Sequence, residues 1–369
     1  MRLLGARLLD RGVNVVIIAP LVPRGRQARE DCVDGVRVIR IPYPRVRLLG
    51  GFVLLARLVG FIVGNRNRIA AIHAHILGGM AAVSCLVGRA LGKTVVVKAA
   101  GAHEKKLGVL NPGVRRPFAA VLRWALSKAT YYQAISQDLA RSMSTAGFDG
   151  ARIRLIPNAV DTERFQPSED RENRRQALGV SADLVGVFVG RLEPEKGLEA
   201  LVRAWAEVFD PAERVTLFVL GSGSLGDRLR SLVTQLGRQG QIRMVGPTPA
   251  VENYLGAADF AVLPSVAEGL SNSLLEYMAS GLPVLGSKVS GTEDLVAPGR
   301  NGWLFQGHGA ELADCLRNVR ATTSEARKRM GQAARRDVVS YAGIDVVLNS
   351  LVALYGVSLQ GASAKVSPS

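Results

Sequence analysis

The sequence predicts an α/β protein with two doubly wound domains, each a parallel sheet covered by helices on both faces. Strand and helix patterns alternate along the chain twice, over residues 13–146 and again over 184–305. Such alternation is typical of parallel sheets, because each strand needs a crossover helix to reach the next. A polar, charged stretch at 166–180 separates the two series and is interpreted as a link. With 369 residues, the chain is long enough for two domains of ordinary size.

The first series contains five short apolar runs that we interpret as buried strands. They occupy residues 13–20, 36–41, 70–75, 94–99 and 131–135. Helical patterns lie around and between them: an opening helix with leucines at positions 3, 4, 8 and 9, then 48–63, 80–91, a helix ending at 128, and 137–146. The helix at 48–63 is apolar, with Arg57 as its one charged residue.

The second series contains six predicted strands. They occupy residues 184–189, 215–220, 242–245, 260–263, 284–287 and 302–305. Helices are predicted at 198–209, at 225–236, from Ser271 to just before Gly281, and at 344–355. Ser271 is a favoured N-cap residue, and the Gly-Leu-Pro that begins at Gly281 is typical of a helix C-terminus. Residues 357–369 are small and polar and are predicted to be disordered.

The net positive charge of the chain lies entirely in its first half. Residues 1–150 hold 23 Lys and Arg against 7 Asp and Glu, whereas residues 151–369 hold 24 of each sign. Two interpretations stay open. The excess charge belongs to a solvated surface, or it marks a basic domain that docks on anionic lipid headgroups or binds a phosphorylated acceptor. Nucleic acid is not an expected partner, because no basic motif with interleaved aromatic residues is present.

Cysteine usage and hydropathy predict a cytoplasmic protein. Cys32, Cys85 and Cys315 are scattered along the chain, as is typical of reduced thiols. No apolar run reaches 18 residues, and the N-terminus lacks the residue order of a signal peptide. The cysteine and histidine spacings match no metal site, so no metal is expected.

Two carboxylates flank the start of the helix that begins at Ser271. Glu268 lies in the loop before the helix, and Glu276 lies about a turn and a half inside it. The free backbone N–H groups of a helix N-terminus favour an anion, and carboxylates accept hydrogen bonds from sugar hydroxyls. This combination suits a nucleotide sugar. The predicted donor-binding residues of this segment are Gly269, Leu270, Ser271, Asn272, Ser273, Leu274 and Glu276.

Two cations follow the first strand of the second series. Arg191 and Lys196 come directly after residues 184–189, at the edge of the sheet where α/β proteins bind ligands. Arg offers a bidentate fork to phosphate oxygens and Lys a point charge. Gly190 and Met244 are further candidates for donor contacts, and Gly221 and Gly223 are predicted to let backbone approach a ligand.

Several stretches together resemble the retaining glycosyltransferases of family 4, which have the GT-B fold. They are the Glu-x7-Glu segment from Glu268 to Glu276, IPNAVDTERF at 156–165 and VGRLEPEKG at 189–197. The resemblance implies two Rossmann-like domains that face a cleft and a last helix that crosses back to the first domain. It predicts an N-terminal domain at 1–163, a nucleotide-sugar domain at 164–340, a crossover helix at 341–356 and a tail at 357–369.

The resemblance also implies roles for single residues. Glu268 would hold the donor sugar, Glu276 would bind ribose hydroxyls, and Arg191 and Lys196 would stabilise the leaving diphosphate. The donor would be UDP- or GDP-linked, with no cofactor. The acceptor would be lipid-linked or a polysaccharide precursor, approached through the basic first domain. The family's sugar-contacting histidine is replaced by alanine at position 100, and His103 is the candidate substitute.

The chain differs from the family pattern at its start. The family opens with a strand and a glycine-rich turn, whereas Met1 falls within the helix that follows them. Loss of a central strand is expected to leave neighbouring strand edges unpaired. The absent strand and Ala100 leave open a first alternative function, that of a degenerate, non-catalytic relative of the glycosyltransferases. A second alternative, independent of the chain's start, is a GT-B nucleotide-sugar epimerase.

Overall fold

The computed structural model describes residues 2–22, 28–46, 49–99, 101, 109–110, 117–307 and 309–357. The chain divides into two compact units. Unit 1 comprises Met1–Ile156 together with Asp345–Ser369, and unit 2 comprises Pro157–Ile344. Each unit is an α/β structure with parallel strand pairing, so the predicted fold class is confirmed.

The described part of unit 1 contains seven strands and six helices. The strands are β1 Val16–Pro20, β2 Glu30–Val33, β3 Val36–Ile41, β4 Ala71–His75, β5 Thr94–Lys98, β6 Tyr131–Ala134 and β7 Ile153–Leu155. The helices are α1 Arg2–Asp10, α2 Leu49–Gly64, α3 Gly79–Ala90, α4 Pro117–Leu126, α5 Gln137–Thr145 and, at the C-terminal end, α13 Ile344–Tyr355, of which all but Ile344 belongs to this unit.

The strands of unit 1 form two separate sheets. One has the order β1-β3-β2, with β2 antiparallel to β3, and the other has the parallel order β4-β5-β6-β7. Within the described residues β1 and β4 are therefore both edge strands. Ile18 on β1 and Ile72 on β4 nevertheless pack against one small core formed by Ile41, Leu58 and Ile62.

Unit 2 contains six strands and seven helices in its described residues. The strands are β8 Leu184–Val189, β9 Val215–Leu220, β10 Ile242–Gly246, β11 Phe260–Leu263, β12 Val284–Ser287 and β13 Gly302–Phe305. The helices are α6 Arg171–Ala177, α7 Leu198–Val208, α8 Gly226–Gln235, α9 Val251–Ala257, α10 Asn272–Ala279, α11 Ala310–Ala321 and α12 Ser324–Ala342.

The strand order of unit 2 determines where a ligand site is expected. All six strands are parallel, in the order β10-β9-β8-β11-β12-β13. The direction of winding reverses between β8 and β11, and α/β sheets of this kind bind ligands at that point, beyond the carboxyl ends of the strands. The sheet carries a large core that includes the fully buried Trp205, Phe209 and Phe260.

The stretch at 166–180, interpreted from the sequence as a link, contains helix α6. Asp170 caps this helix by accepting a hydrogen bond from the backbone of Asn173. Arg171 and Arg175 both form ion pairs with Asp259, whose side chain is 5% exposed, at 3.0 and 2.5 Å. Asp259 also accepts a hydrogen bond from the Val185 N–H. Ion pairs thus anchor this polar helix to the sheet. Because it lacks an apolar face, the hydrophobic pattern of the sequence did not predict it.

Candidate functional site

Lys196 and Glu268 meet at the switch point of unit 2. Lys196 lies in the short 3-10 helix Pro194–Lys196 after β8, and Glu268 lies in the loop after β11. Their side chains form an ion pair and are only 13% and 12% exposed. Since β8 and β11 are the two strands between which the winding reverses, the structure places this pair where the strand order predicts a ligand site.

Further hydrogen bonds hold the two loops together. Ser265 Oγ donates to the same Glu268 oxygen at 2.8 Å, and the Val266 N–H donates to the carbonyl oxygen of Glu195 at 2.8 Å. Ser287 Oγ in turn donates to the carbonyl oxygen of Ser265 at 2.5 Å. One carboxylate oxygen of Glu268 therefore accepts from two protein donors, Lys196 and Ser265. These contacts fix the position of the carboxylate without a ligand.

Helix α10 begins next to this loop without a side-chain cap. Ser271 occupies the predicted N-cap position in an extended conformation, but its hydroxyl makes no capping hydrogen bond. Asn158 lies beside it: its Nδ2 donates to the Leu270 carbonyl oxygen at 3.3 Å and to Asn272 Oδ1 at 2.9 Å. Because no side chain caps the helix, its first backbone N–H groups and the positive end of its dipole are available to an anion.

Glu276 is a partly buried carboxylate with no hydrogen-bond partner among the described residues. Its burial raises the pKa of the carboxyl to about 7, an effect that the Arg164 guanidinium opposes and Glu252 reinforces. Arg164 itself is held by Glu252 at 2.9 Å. A desolvated carboxylate that the protein leaves unsatisfied is suited to accept hydrogen bonds from ligand hydroxyls.

Tyr277 joins helix α10 to the end of β8. Its fully buried hydroxyl accepts a hydrogen bond from the Val189 N–H at 2.6 Å and donates to the Val189 carbonyl oxygen at 3.1 Å. Desolvation raises the pKa of this phenol, so it stays protonated and able to donate. The helix start and the loop that carries Lys196 are thus positioned relative to each other by one side chain.

The remaining predicted residues of the helix segment differ in how far they are buried. Leu270 is buried and Leu274 is fully buried, so what they can offer a ligand is backbone. Gly269 lies against Gly291: a Cβ atom on Gly291 would be 2.2 Å from the Gly269 carbonyl oxygen. Asn272 is exposed and Ser273 is partly exposed.

Arg191 does not join Lys196 and Glu268 in their ion pair. Its side chain is 71% exposed and pairs with Glu195, four residues along the same loop, at 2.8 Å. Gly190 follows β8 and its N–H bonds to the Leu220 carbonyl oxygen, and Met244 lies partly buried on β10, packed against the core. Of the two predicted cations, the structure brings Lys196 alone into contact with Glu268.

Gly221 and Gly223, predicted to let backbone approach a ligand, are in close contact with protein backbone. A Cβ atom at Gly221 would lie 1.9 Å from the carbonyl oxygen of Gly190, and one at Gly223 would lie 2.4 Å from that of Leu192. Both glycines therefore allow close packing against the loop that follows β8. In addition, Ser224 donates two hydrogen bonds to Glu193, which lower the pKa of that carboxyl.

His103 and His308 lie outside the described residues. His73 and His75 end β4 in unit 1, with stacked rings 4.6 Å apart. His73 Nδ1 and the Tyr355 hydroxyl on α13 are 2.6 Å apart and hydrogen-bonded. Burial lowers the pKa of both histidines, that of His75 to about 4, and nearby Lys98 adds to the effect. The pair is neutral at physiological pH and ties the last helix to unit 1.

Three residues that contribute to the site were not predicted from the sequence. Ser265 fixes Glu268, Asn158 reaches the start of α10, and Tyr277 locks that helix to β8. Asn158 lies in the IPNAVDTERF segment, so its motif was detected but not its contact. Tyr277 directly follows Glu276, and a tyrosine inside a buried helical run signals a hydroxyl that needs a partner.

Within the described ranges, no three His, Cys, Asp or Glu side chains are grouped so that they could bind a metal ion. In those same ranges, no helix combines the length and apolar character needed to cross a membrane.

Two family models match the chain. The model "Glycosyltransferase Family 4" matches residues 1–164, and the model "Glycosyl transferases group 1" matches residues 170–337. The division between the models falls close to the boundary between the two units.

Among curated proteins, the chain is similar to the GDP-mannose-dependent alpha-mannosyltransferase of Mycolicibacterium smegmatis. The two are 28% identical over 341 residues, which is 89% of this chain and 85% of that protein. It is also 34% identical over 198 residues to the D-inositol 3-phosphate glycosyltransferase of Corynebacterium glutamicum, covering 50% of this chain and 47% of that protein. The chain thus spans about half the length of the inositol phosphate glycosyltransferases that it matches.

Among solved structures, the fold matches that of Anabaena Alr3699/HepE in complex with UDP. The TM-score is 0.74 at 21% identity, and the match covers 88% of this chain and 87% of that one.

Proposed function

Since the chain belongs to the family 4 glycosyltransferases of the GT-B fold, we propose that it is a glycosyltransferase that uses a nucleoside diphosphate sugar as donor. The acceptor in this proposal is a hydroxyl of a lipid-linked molecule or a polysaccharide precursor. The sugar is transferred with retention of its anomeric configuration, without a metal ion and without a cofactor.

One observation carries the proposal: the Lys196–Glu268 pair lies next to the uncapped start of α10 at the switch point of unit 2. A cation and a row of free N–H groups suit a diphosphate. A fixed carboxylate beside them suits the hydroxyls of the attached sugar. The Mycolicibacterium smegmatis protein is named for a GDP-linked donor and the Anabaena structure contains UDP, which supports a donor of this class.

In the proposed reaction, the bond between the anomeric carbon and the diphosphate oxygen breaks, and the diphosphate keeps the electron pair. Lys196 and the N–H groups of α10 stabilise the negative charge that develops there. The acceptor hydroxyl attacks the same face of the sugar, and its proton passes to the leaving phosphate. Arg191 is exposed and paired with Glu195, so its proposed contact requires it to exchange that carboxylate for phosphate oxygens.

The proposal assigns the ribose hydroxyls to Glu276. This carboxylate lies one helical turn beyond the first N–H groups of α10, and no protein donor satisfies it among the described residues. Two ribose hydroxyls would supply the missing hydrogen bonds. Because these donors favour the ionised carboxylate, nucleotide binding is expected to lower the raised pKa of Glu276.

The lipid-linked acceptor and the cellular location rest on the charge distribution. The excess of Lys and Arg lies in residues 1–150. We propose a cytoplasmic enzyme whose first unit approaches the inner, anionic face of the cell membrane; His103 stays the candidate for the role of the family's sugar-contacting histidine. Retention rests on the family resemblance alone.

The experiment compares Lys196→Ala with Lys328→Ala, which removes an exposed lysine on α12 of the same unit. UDP-glucose and GDP-mannose are tested as donors by thermal shift, and donor hydrolysis is measured with the donor that binds. We expect Lys196→Ala to lose roughly 10²–10³ in turnover, whereas Lys328→Ala keeps the wild-type rate. Wild-type turnover in folded Lys196→Ala would end the assignment.

The two alternative functions give different results in the same assays. A non-catalytic relative would bind a donor without hydrolysing or transferring it. An epimerase would convert the free nucleotide sugar to its epimer with no acceptor present. Either outcome replaces the transfer proposal while keeping the donor site.

A further inference from the structure

Helix α2 is apolar on both of its faces. Fifteen of its sixteen residues are uncharged and non-polar or glycine, and Arg57 is the exception. Leu58 and Ile62 are buried against the core of unit 1. On the opposite face, Leu49 is 50%, Phe52 71% and Val63 39% exposed. A surface helix normally turns polar residues outward, and one that is apolar all round is normally covered.

The neighbouring helices extend this apolar surface. Helix α3 packs between α2 and α4. On α3, Leu86 is 37% exposed, and on α4 Val121 is 61% and Trp124 56% exposed. Of the exposed large hydrophobic residues in the described chain, only Val266 and Val339 belong to unit 2. The outer surface of α2, α3 and α4, called the apolar-basic face below, holds six of the twelve exposed large hydrophobic residues in the described part of unit 1.

The segment that contains these helices is strongly basic. Residues 35–137 contain 16 Lys and Arg and one acidic residue, Glu104. Arg57, Arg66 and Arg68, on α2 and just after it, are exposed, and so is Arg89 at the end of α3. The ammonium of Lys128 lies 5.3 Å from the centre of the Trp124 ring. Helices α2, α3 and α4 themselves contain no Asp or Glu.

We propose that the apolar-basic face docks on an anionic lipid bilayer. This proposal rests on the lipid-linked acceptor of the proposed function and identifies the surface that would meet the membrane. An anionic bilayer supplies both negatively charged headgroups and an apolar layer beneath them. Exposed apolar side chains on helices that carry exposed arginines and no Asp or Glu match that order of layers.

In this arrangement α2 lies in the plane of the interface. At 16 residues it occupies about 24 Å, which is less than the hydrocarbon thickness, so it does not cross the bilayer. Phe52, Val63 and Trp124 enter the boundary between headgroups and acyl chains, where Trp is favoured. Arg57, Arg66 and Lys128 stay at the level of the phosphates.

The test uses the full chain and sonicated vesicles of phosphatidylcholine with and without 30% phosphatidylglycerol, a composition of roughly physiological anionic content. Binding is followed by co-sedimentation and by tryptophan fluorescence. Trp205 is fully buried and Trp303, on β13 of unit 2, is partly buried, so only a blue shift that disappears in Trp124→Phe reports Trp124. We expect binding to the anionic vesicles, weakened as salt is raised.

Two variants and one control separate the contributions. Phe52→Asp is expected to lower the partition coefficient at least about tenfold, because it removes a buried ring and adds an anion. Arg66→Glu changes the charge by two units and is expected to lower the partition coefficient at least about fivefold for each unit. Arg329→Glu on α12 makes the same charge change at a side chain 67% exposed in unit 2, and is expected to leave binding unchanged.

Three outcomes would overturn the proposal. In the first, the wild-type chain fails to bind anionic vesicles at low salt. In the second, Phe52→Asp and Arg66→Glu bind these vesicles as well as Arg329→Glu does. In the third, the chain forms a dimer in solution that Phe52→Asp dissociates, which would assign the face to a second copy of the chain. UDP binding is measured on the same samples. UDP binding without vesicle binding would refute the proposed membrane surface and leave the donor site standing. Vesicle binding without UDP binding would refute the donor site and leave the membrane surface standing.

Discussion

Replacing Glu276 by Gln is expected to stabilise the protein above neutral pH while weakening donor binding. The native carboxyl is desolvated and its pKa is raised from 4.5 to about 7. Between those two values the folded chain holds a proton that the unfolded chain releases. The free energy of unfolding therefore falls as pH rises, with its contribution from Glu276 fully present below pH 4.5 and lost by pH 7.

The size of this effect follows from the shift. Each pKa unit corresponds to about 1.4 kcal/mol, so the ionised carboxylate costs about 3 kcal/mol at pH 8. Gln has nearly the same shape and no charge to desolvate. We expect Glu276→Gln to be more stable than the wild type by about 2–3 kcal/mol at pH 8 and by less than about 1 kcal/mol at pH 5. For a unit of this size, each kcal/mol raises the thermal midpoint by about 2–4 °C.

The assay is thermal and urea unfolding of both proteins at pH 5 and pH 8, together with UDP titration by calorimetry at pH 8. Loss of the charged acceptor for ribose hydroxyls is expected to weaken UDP binding by about tenfold. The reasoning is refuted if Glu276→Gln is less stable than the wild type at pH 8, or if its stability advantage is the same at both pH values.

Two further substitutions test the scaffold of the site. Asp259→Ala leaves two arginines without their shared buried carboxylate, and we expect it to cost about 3–5 kcal/mol of unfolding free energy by urea titration. A loss below about 1 kcal/mol would show that α6 is not anchored by charge. Gly291→Ala would push a methyl group into the Gly269 carbonyl oxygen and is expected to abolish measurable UDP binding. Gly299→Ala has the same φ of +76° but open space around it; it should cost about 1–2 kcal/mol and bind UDP normally, and equal UDP affinity in both variants would contradict the account.

The strands of unit 2 were predicted well because each is an apolar run with clear ends. The predictions at 184–189, 215–220, 260–263, 284–287 and 302–305 coincide with β8, β9, β11, β12 and β13. Strands buried on both faces of a parallel sheet are apolar along their whole length, so the run alone marks them.

Other elements were missed because their signals are local or weak. Strand β3 was predicted at 36–41, but β2 was missed because its exposed residues Glu30, Asp31 and Cys32 form no apolar run. The long helix α12 was missed because its buried face consists largely of small residues such as Ala333 and Ala334, which give little hydrophobic periodicity.

The candidate site was likewise predicted only in part. The motif spacing predicted Lys196 and Glu268, and the parallel sheet explains why they meet. The contacts of Ser265 and Tyr277 depend on which strands are neighbours, and the sequence does not carry that information in any single segment. The packing of Gly221 and Gly223 against the loop after β8 was not predicted, because a glycine indicates a close approach but not what approaches.

The central claim is that a nucleoside diphosphate binds where Lys196 meets the start of α10, and a crystal structure of the chain with UDP tests it most directly. The account predicts phosphate oxygens within hydrogen-bond distance of the backbone nitrogens of Asn272 to Leu274, Lys196 turned towards them, and the ribose hydroxyls on Glu276. A diphosphate bound elsewhere, with Lys196 still paired to Glu268 and Glu276 without a ligand contact, would contradict it.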